Sequence, residues 1–202
     1  QDGGKTWKHV LFVNGDAGCS GLAMDSQDPH ILFAGIWEWK IRPWAMTSGG
    51  PSSGVYVSHD GGDTWNQIKG HGLPHAPLGK IDVAMAPSAP KRVYALIETA
   101  KEGSLWRSDD GGKHWDVENY SRLLTERAGY TVSIAVSPTD EDKVYVASNS
   151  FYLSGDGGKT FREVHWGGDN HDIWIDPTNP KRLMISDDGG AEISTTGGQE
   201  WH

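Results

Sequence analysis

Short apolar runs, each closed by turn residues, organise this chain from end to end. Ile81-Asp82-Val83-Ala84-Met85 has the period-two character of a half-buried strand. Pro87-Ser88-Ala89-Pro90-Lys91-Arg92 interrupts it, and Val93-Tyr94-Ala95-Leu96-Ile97 reads as a second strand. The same phrase returns from Ser20 to Gly35 around Asp28-Pro29, and from Val132 to Ala147 around Pro138-Thr139-Asp140. It returns once more from Asp172 to Ile185 around Asp176-Pro177-Thr178-Asn179-Pro180. A third run then follows, as in Gly54-Val55-Tyr56-Val57 and Ser104-Leu105-Trp106-Arg107, and a fourth, as in Trp65-Asn66-Gln67-Ile68 and Trp115-Asp116-Val117. No long stretch carries a helical period; Ser121 to Arg127 fits a single turn.

Between the third and fourth runs lies a recurring hexad. It stands as Asp2-Gly3-Gly4-Lys5-Thr6-Trp7, Asp60-Gly61-Gly62-Asp63-Thr64-Trp65, Asp110-Gly111-Gly112-Lys113-His114-Trp115 and Asp156-Gly157-Gly158-Lys159-Thr160-Phe161. A decayed copy, Thr196-Gly197-Gly198-Gln199-Glu200-Trp201, lacks the Asp. Glycine pairs reach positive φ without steric cost, so the hexad predicts a tight turn between antiparallel strands. The Asp carboxylate accepts N–H bonds from that turn, and the Thr hydroxyl closes it further. The aromatic residue then opens the returning strand and points into the neighbouring layer. A calcium-loop reading is weaker, because the Gly-Gly pair removes two of the ligand positions such a loop needs.

Four antiparallel strands per repeat predict an all-β fold, a β-propeller of four-stranded blades. The blades fall at approximately 20–68, 79–118, 131–165 and 171–201, with 7–13 as the outer strand of a preceding blade. The whole of 1–202 then reads as one propeller segment, about four blades of a larger ring. With its preceding Ser, the hexad resembles the Asp-box, or BNR repeat, in the order Ser-x-Asp-x-Gly-x-Thr-Trp.

Composition narrows the partners. The net charge of -9 argues against nucleic acid or an anionic membrane surface. No apolar run is long enough to span a bilayer. Cys19 is alone, so no internal disulfide is available. No motif calls for a cofactor or a metal.

Strand alternation places the hexads and the Pro-rich turns on one face. The chemically rich segments fall on the other, where loops on a rigid scaffold carry function. Trp37, Glu38, Trp39, Arg42 and Trp44 form an insertion between the second and third strands of the first repeat. Indole faces pack on sugar C–H surfaces and Arg holds carboxylates, so these residues suit a ligand; a loop folded onto a neighbouring domain suits them equally. Arg127 and Tyr130 extend the rim from the segment Arg122 to Tyr130, where an Arg–Glu pair bracing the loop is the plainer reading. Gly167-Gly168-Asp169-Asn170-His171 and Ser186-Asp187-Asp188-Gly189-Gly190 close the opposite end of the last hairpin. Asp169, His171 and Asp188 are the acid/base candidates and also form a weak cation-site signature; tying loops together is their simpler role.

The series Trp37…Arg42-Pro43-Trp44…Ser48-Gly49-Gly50-Pro51, Gly72-Leu73-Pro74, Gly168-Asp169-Asn170-His171…Trp174-Ile175-Asp176-Pro177 and Asp188-Gly189-Gly190 resembles a family of large bacterial BNR-repeat proteins. These are usually labelled glycosyl hydrolases and are related to the sortilin (VPS10) propeller. The resemblance implies a secreted or periplasmic propeller with glycan or polypeptide ligands, set among further blades or domains of its parent chain. A hydrolase similar to xyloglucan-cleaving Asp-box enzymes is the alternative; it needs two carboxylates about 5–10 Å apart, for which Glu38, Asp169 and Asp188 are eligible. A sialidase fits less well, since Ile41-Arg42-Pro43 matches the Arg-Ile-Pro order of that family only loosely.

Overall fold

The computed structural model describes residues 2–165 and 169–202. Gly167 and Gly168 of the Gly-Gly-Asp-Asn-His segment lie outside the described residues. Among those described, four antiparallel sheets follow one another in chain order as the blades of a β-propeller. The first contains β1 (Ala17–Met24), β2 (Leu32–Arg42), β3 (Ala45–Ser48), β4 (Gly54–Ser58) and β5 (Asn66–Gln67). The second contains β6 (Ile81–Ala86), β7 (Ala89–Ile97), β8 (Leu105–Ser108) and β9 (Asp116–Asn119). The third contains β10 (Ser133–Ser137), β11 (Asp140–Ala147), β12 (Phe151–Ser154) and β13 (Arg162–His165), and the last β14 (Asp172–Ile175), β15 (Leu183–Asp187) and β16 (Gly190–Ser194). A single 3-10 turn, Arg122–Thr125, is the only helical element among the described residues. The first strands β1, β6, β10 and β14 lie against one another in that order.

Three details refine the sequence expectation. The insertion after β2 is a hairpin, with β2 running on to Arg42 and β3 pairing back from Ala45, because its alternating, aromatic-rich residues suit a ladder. Residues 7–13 form no ladder among the described residues; they run as an extended segment whose Leu11 and Val13 pack on Ala34, Ile36 and Tyr56. The last sheet has three strands, and His202 makes a backbone pair with Ile193 where a fourth would begin.

The hexads fold as the same locked turn each time. Asp60 accepts the Thr64 N–H at 2.9 Å and the Thr64 hydroxyl at 2.5 Å, while Ser58 Oγ donates to Asp60 and accepts the Gly62 N–H. Asp156 repeats this with Thr160. Asp110 substitutes His114 Nδ1 at 2.7 Å for the Thr hydroxyl. In the decayed copy, Thr196 Oγ1 takes over the Asp role and accepts the Glu200 N–H at 2.8 Å. Gly111 and Gly112 sit at φ 76° and 85°, and a Cβ on Gly112 would stand 2.8 Å from the Phe33 ring, so both backbone angle and packing exclude larger residues there. The four turns that belong to the sheets are each bonded to the neighbouring Pro-rich or Asp-rich turn: the N–H groups of Gly61, Gly111, Gly157 and Gly197 reach the carbonyls of His30, Lys91, Asp142 and Lys181. Both sets of turns therefore share one face.

Apolar packing runs between blades. The hexad indoles donate to their own turns, Trp65 to Gly62 O and Trp115 to Gly112 O. Trp115 then meets Phe33 of the preceding blade edge to face at 6.4 Å, and Trp201 meets Phe151 of its preceding blade at 5.3 Å. At one repeated register, Phe33, Tyr94 and Tyr145 are completely buried by the blade that follows. The corresponding row of the last sheet, Trp174, Met184 and Ile193, is 49%, 38% and 47% exposed. Polar ties cross the same seams. Ser20 Oγ donates to Ile81 O at 2.7 Å, and the Asp82 carboxylate accepts the Ile134 N–H at 2.9 Å.

Two outcomes follow. Trp115→Ala removes an indole that is 3% exposed and should cost about 3–5 kcal/mol in chemical denaturation; the half-buried Trp65 should cost less when truncated. A Trp115→Ala variant unfolding at the wild-type midpoint would refute the seam assignment. The second concerns pH. Hydrogen bonds from Thr64 and Thr160 hold Asp60 and Asp156 down to about 2, so their stabilisation is complete above about pH 4 and is lost as pH falls towards 2. Burial pushes Asp82 up to about 6, so its contribution is present below about pH 4 and is lost as pH rises through about 6. The urea midpoint should climb from pH 2 to 4 and then decline towards 6 and beyond, and Asp82→Asn should abolish the decline.

Candidate functional site

With the locked turns on one face, the ends of β2, β7 and β11 and the inter-blade segments come to the other. A strip of side chains crosses this face from the first blade to the last. Trp37 and Trp39, two apart on β2, point to the same side and stack at 5.1 Å with 19° between their planes. They line a shallow hollow of about 300 Å³ with Asp16 and Cys19. Lys80, just before β6, stands 5.3 Å over the Trp37 ring and donates to Tyr130 O at 2.8 Å. Arg127 lies 5.0 Å over the Tyr130 ring and forks onto both oxygens of Asp169. His171 Nε2 is 3.2 Å from Asp188 Oδ1, and one ligand atom from each of Asp169, His171 and Asp188 lies within 4.8 Å of the others.

The electrostatics assign different parts to these groups. The Arg127 guanidinium, donating to Asp169, holds that carboxyl below the usual range and keeps it ionised; burial opposes this less strongly. Asp169 itself adopts φ 68°, fixed by its N–H to Asn149 O and by the Arg127 fork. A cation entering the Asp169–His171–Asp188 cluster would share the Asp169 carboxylate with that guanidinium. Glu38 points the other way from its tryptophan neighbours and is 6% exposed. Burial opposes its charge, yet the Ser52 N–H and Lys40 outweigh this and hold its carboxyl below the ordinary range. It braces the hairpin against the Gly50–Ser53 turn and does not reach the rim. Arg42 and Trp44 sit at the hairpin tip, where Trp44 is 82% exposed.

The structure therefore brings Trp37, Trp39, Arg127, Tyr130, Asp169, His171 and Asp188 into one strip, leaves Arg42 and Trp44 beyond its end, and buries Glu38. Sequence reasoning missed Lys80, which joins the two halves, and Glu98, at the end of β7. Neither stands in a motif; their only signal is position just outside a strand on the loop face.

A propeller segment with an aromatic and ionic strip on its loop face is thus the class of protein this geometry defines. No known family model matches the chain. It is 25% identical over 183 residues to a probable oligoxyloglucan-reducing end-specific xyloglucanase of Neosartorya fischeri, covering 85% of this chain and 21% of that protein. An ancestral GH74 enzyme superposes with a TM-score of 0.60 at 17% identity, over 94% of this chain and 24% of the enzyme. YCF48 from Cyanidioschyzon merolae gives 0.60 at 14% identity, over 97% of this chain and 58% of that one. The chain thus spans about a fifth of the length of the curated relative. The likeness establishes the propeller fold, shared with the GH74 enzyme and YCF48 alike.

If the Arg127 fork is what keeps Asp169 charged, Arg127→Ala should lower the melting temperature at pH 7, and that deficit should shrink as pH falls below about 4, where the carboxyl protonates first in the unfolded chain and then, at lower pH, in the folded one. An equal deficit at both pH values would assign Arg127 to packing instead.

Proposed function

We propose that this chain is a glycan-recognising segment of a secreted or periplasmic Asp-box propeller, akin to the sortilin-related bacterial proteins labelled glycosyl hydrolases. The observation that carries the reading is the Trp37–Trp39 stack, set on a shallow hollow of the loop face with Trp39 39% exposed. Leaving indole in water is unfavourable, and the stack, with Lys80 over the Trp37 ring, leaves the outer face of Trp39 as a held apolar surface of the kind sugar C–H groups cover. The xyloglucanase similarity points the same way, as does the GH74 superposition. A polypeptide ligand would draw more on the charged groups of the strip than on its platform.

Affinity electrophoresis through gels containing xyloglucan, other neutral glucans or an unrelated polysaccharide tests this. The wild type should be retarded by at least one neutral glycan. Trp39→Ala should weaken that retardation about tenfold, given stacking worth roughly 0.5–1.5 kcal/mol beyond area burial, and Trp44→Ala should weaken it less. Retardation that survives loss of both Trp37 and Trp39 would reject the platform.

The spacing of Asp169 and Asp188 favours one further reading, that of a glycoside hydrolase. Their oxygens lie within 4.8 Å of one another, near the roughly 5–5.5 Å that retaining hydrolysis uses. Asp169, held ionised, suits the nucleophile or charge stabiliser, and Asp188, with His171 beside it, is the second carboxylate of the pair. Reducing-sugar release on the same glycans should then disappear in both Asp169→Asn and Asp188→Asn. Release that survives both substitutions would remove the catalytic role.

A further inference from the structure

Beside the strip lies a cleft of about 600 Å³, a volume typical of small-molecule sites, that the platform does not include. Its walls come from four separate segments: Ser48 at the end of β3, Pro77 and Gly79 before β6, Glu98 and Thr99 after β7, and the 3-10 turn with Arg122 and Thr125 followed by Glu126. The 122–130 segment also meets the hairpin directly, since a Cβ on Gly129 would stand 2.9 Å from Met46 Cε.

Glu98 is the best-placed group in this cleft. It is half-buried, and its Oε2 accepts the Ser48 hydroxyl at 2.5 Å and the Lys80 N–H at 3.1 Å. Its backbone carbonyl accepts the Gly79 N–H at 2.9 Å, and its own N–H donates to Lys80 O. The side chain leaves no room for a Cβ on Gly79, which would stand 2.0 Å from Oε2. No other described group bonds its Oε1, so one oxygen of a fixed carboxylate is open for an incoming donor. Ser48 connects the cleft to the platform, because its Oγ also accepts the Trp37 indole N–H at 3.0 Å.

We infer that this cleft is a second subsite, for one neutral sugar unit of the glycan that stacks on Trp37 and Trp39, with Glu98 as its principal acceptor. The inference rests on the glycan reading. Charge balance selects the ligand class. A cation would face Arg122, and an anion would face Glu98 and Glu126. An uncharged polyol, whose hydroxyls both donate and accept, is served by the carboxylates and the guanidinium together, with the hydroxyls of Thr99 and Thr125 beside them. Leu123, 52% exposed in the same wall, offers apolar surface to ring C–H groups.

Isothermal titration of the whole chain with a xyloglucan oligosaccharide, a cello-oligosaccharide and glucosamine provides the test, with melting temperatures recorded for every variant. Glu98→Ala and Arg122→Ala should each weaken the better neutral ligand about tenfold, the scale of one charge-assisted hydrogen bond. Glu98→Gln, which keeps an acceptor, should recover much of the loss. Glu98→Ala also strips Ser48 and Lys80 of their acceptor; if it melts early, the exposed Arg122→Ala and Glu126→Ala variants carry the test. Neutral binding that is weakened by Trp39→Ala but unchanged by all the cleft variants would overturn the subsite and leave the glycan reading intact. Glucosamine bound more tightly than the neutral sugars, and abolished by Glu98→Gln, would make the cleft a cation site and overturn the inference. A wild type that binds neither neutral oligosaccharide would overturn the subsite together with the reading it rests on.

Discussion

A blade of this protein cannot bury its own faces, and everything else follows from that constraint. Each sheet is a twisted, antiparallel layer with apolar side chains on both sides, and only another layer can cover them. Phe33, Tyr94 and Tyr145 occupy one repeated register and are completely buried because a next blade lies over each. The residues at that register in the last sheet are the same kind of side chain and stand partly in water. Cohesion is therefore a property of the seams, where Trp115 meets Phe33 and Trp201 meets Phe151.

The locked turns serve the seams. An indole can fill its neighbour's surface only if the strand that carries it leaves the turn in a fixed direction. The Asp carboxylate, the Ser hydroxyl and two glycines at positive φ fix that direction with bonds internal to the turn. The substitutions seen among the copies keep the same bonds by other atoms, with His114 Nδ1 in place of a Thr hydroxyl and Thr196 in place of the Asp. The conformation is what the repeat specifies. These carboxylates are consumed in holding shape, which leaves the opposite face to carry chemistry.

On that face the rigid stack acts as a mount for segments distant in sequence. Lys80, Tyr130, Arg127 and Asp169 join end to end across three blades through one hydrogen bond, one cation–π contact and one forked ion pair. The Trp37 indole reaches Glu98 through the Ser48 hydroxyl. Aromatic surface and fixed charge are thus held side by side by a scaffold whose own interactions lie elsewhere.

The repeated phrase of runs and turns determined the class of fold, the position of most strands, and the face on which the hexads lie. Those features rest on local rules: period-two burial, glycine at positive φ, and Asp or Ser bonding its own turn. Sequence also picked out Trp37, Trp39, Arg127, Asp169, His171 and Asp188, since aromatic and ionisable residues outside strands on the loop face are conspicuous. Tertiary structure decided what these residues do with one another. Alternation along β2 sent Glu38 beneath the hairpin while its neighbours Trp37 and Trp39 stayed on the surface. The ladder between β2 and β3 turned an apparent loop into a strand pair. Glu98 and Lys80 carry no motif, and their importance comes from partners 50 residues away in the chain, Ser48 for one and Tyr130 for the other. Local pattern encodes the repeat because each turn satisfies its own bonds. The site is set by how the blades stack, because its contacts cross from one blade to the next.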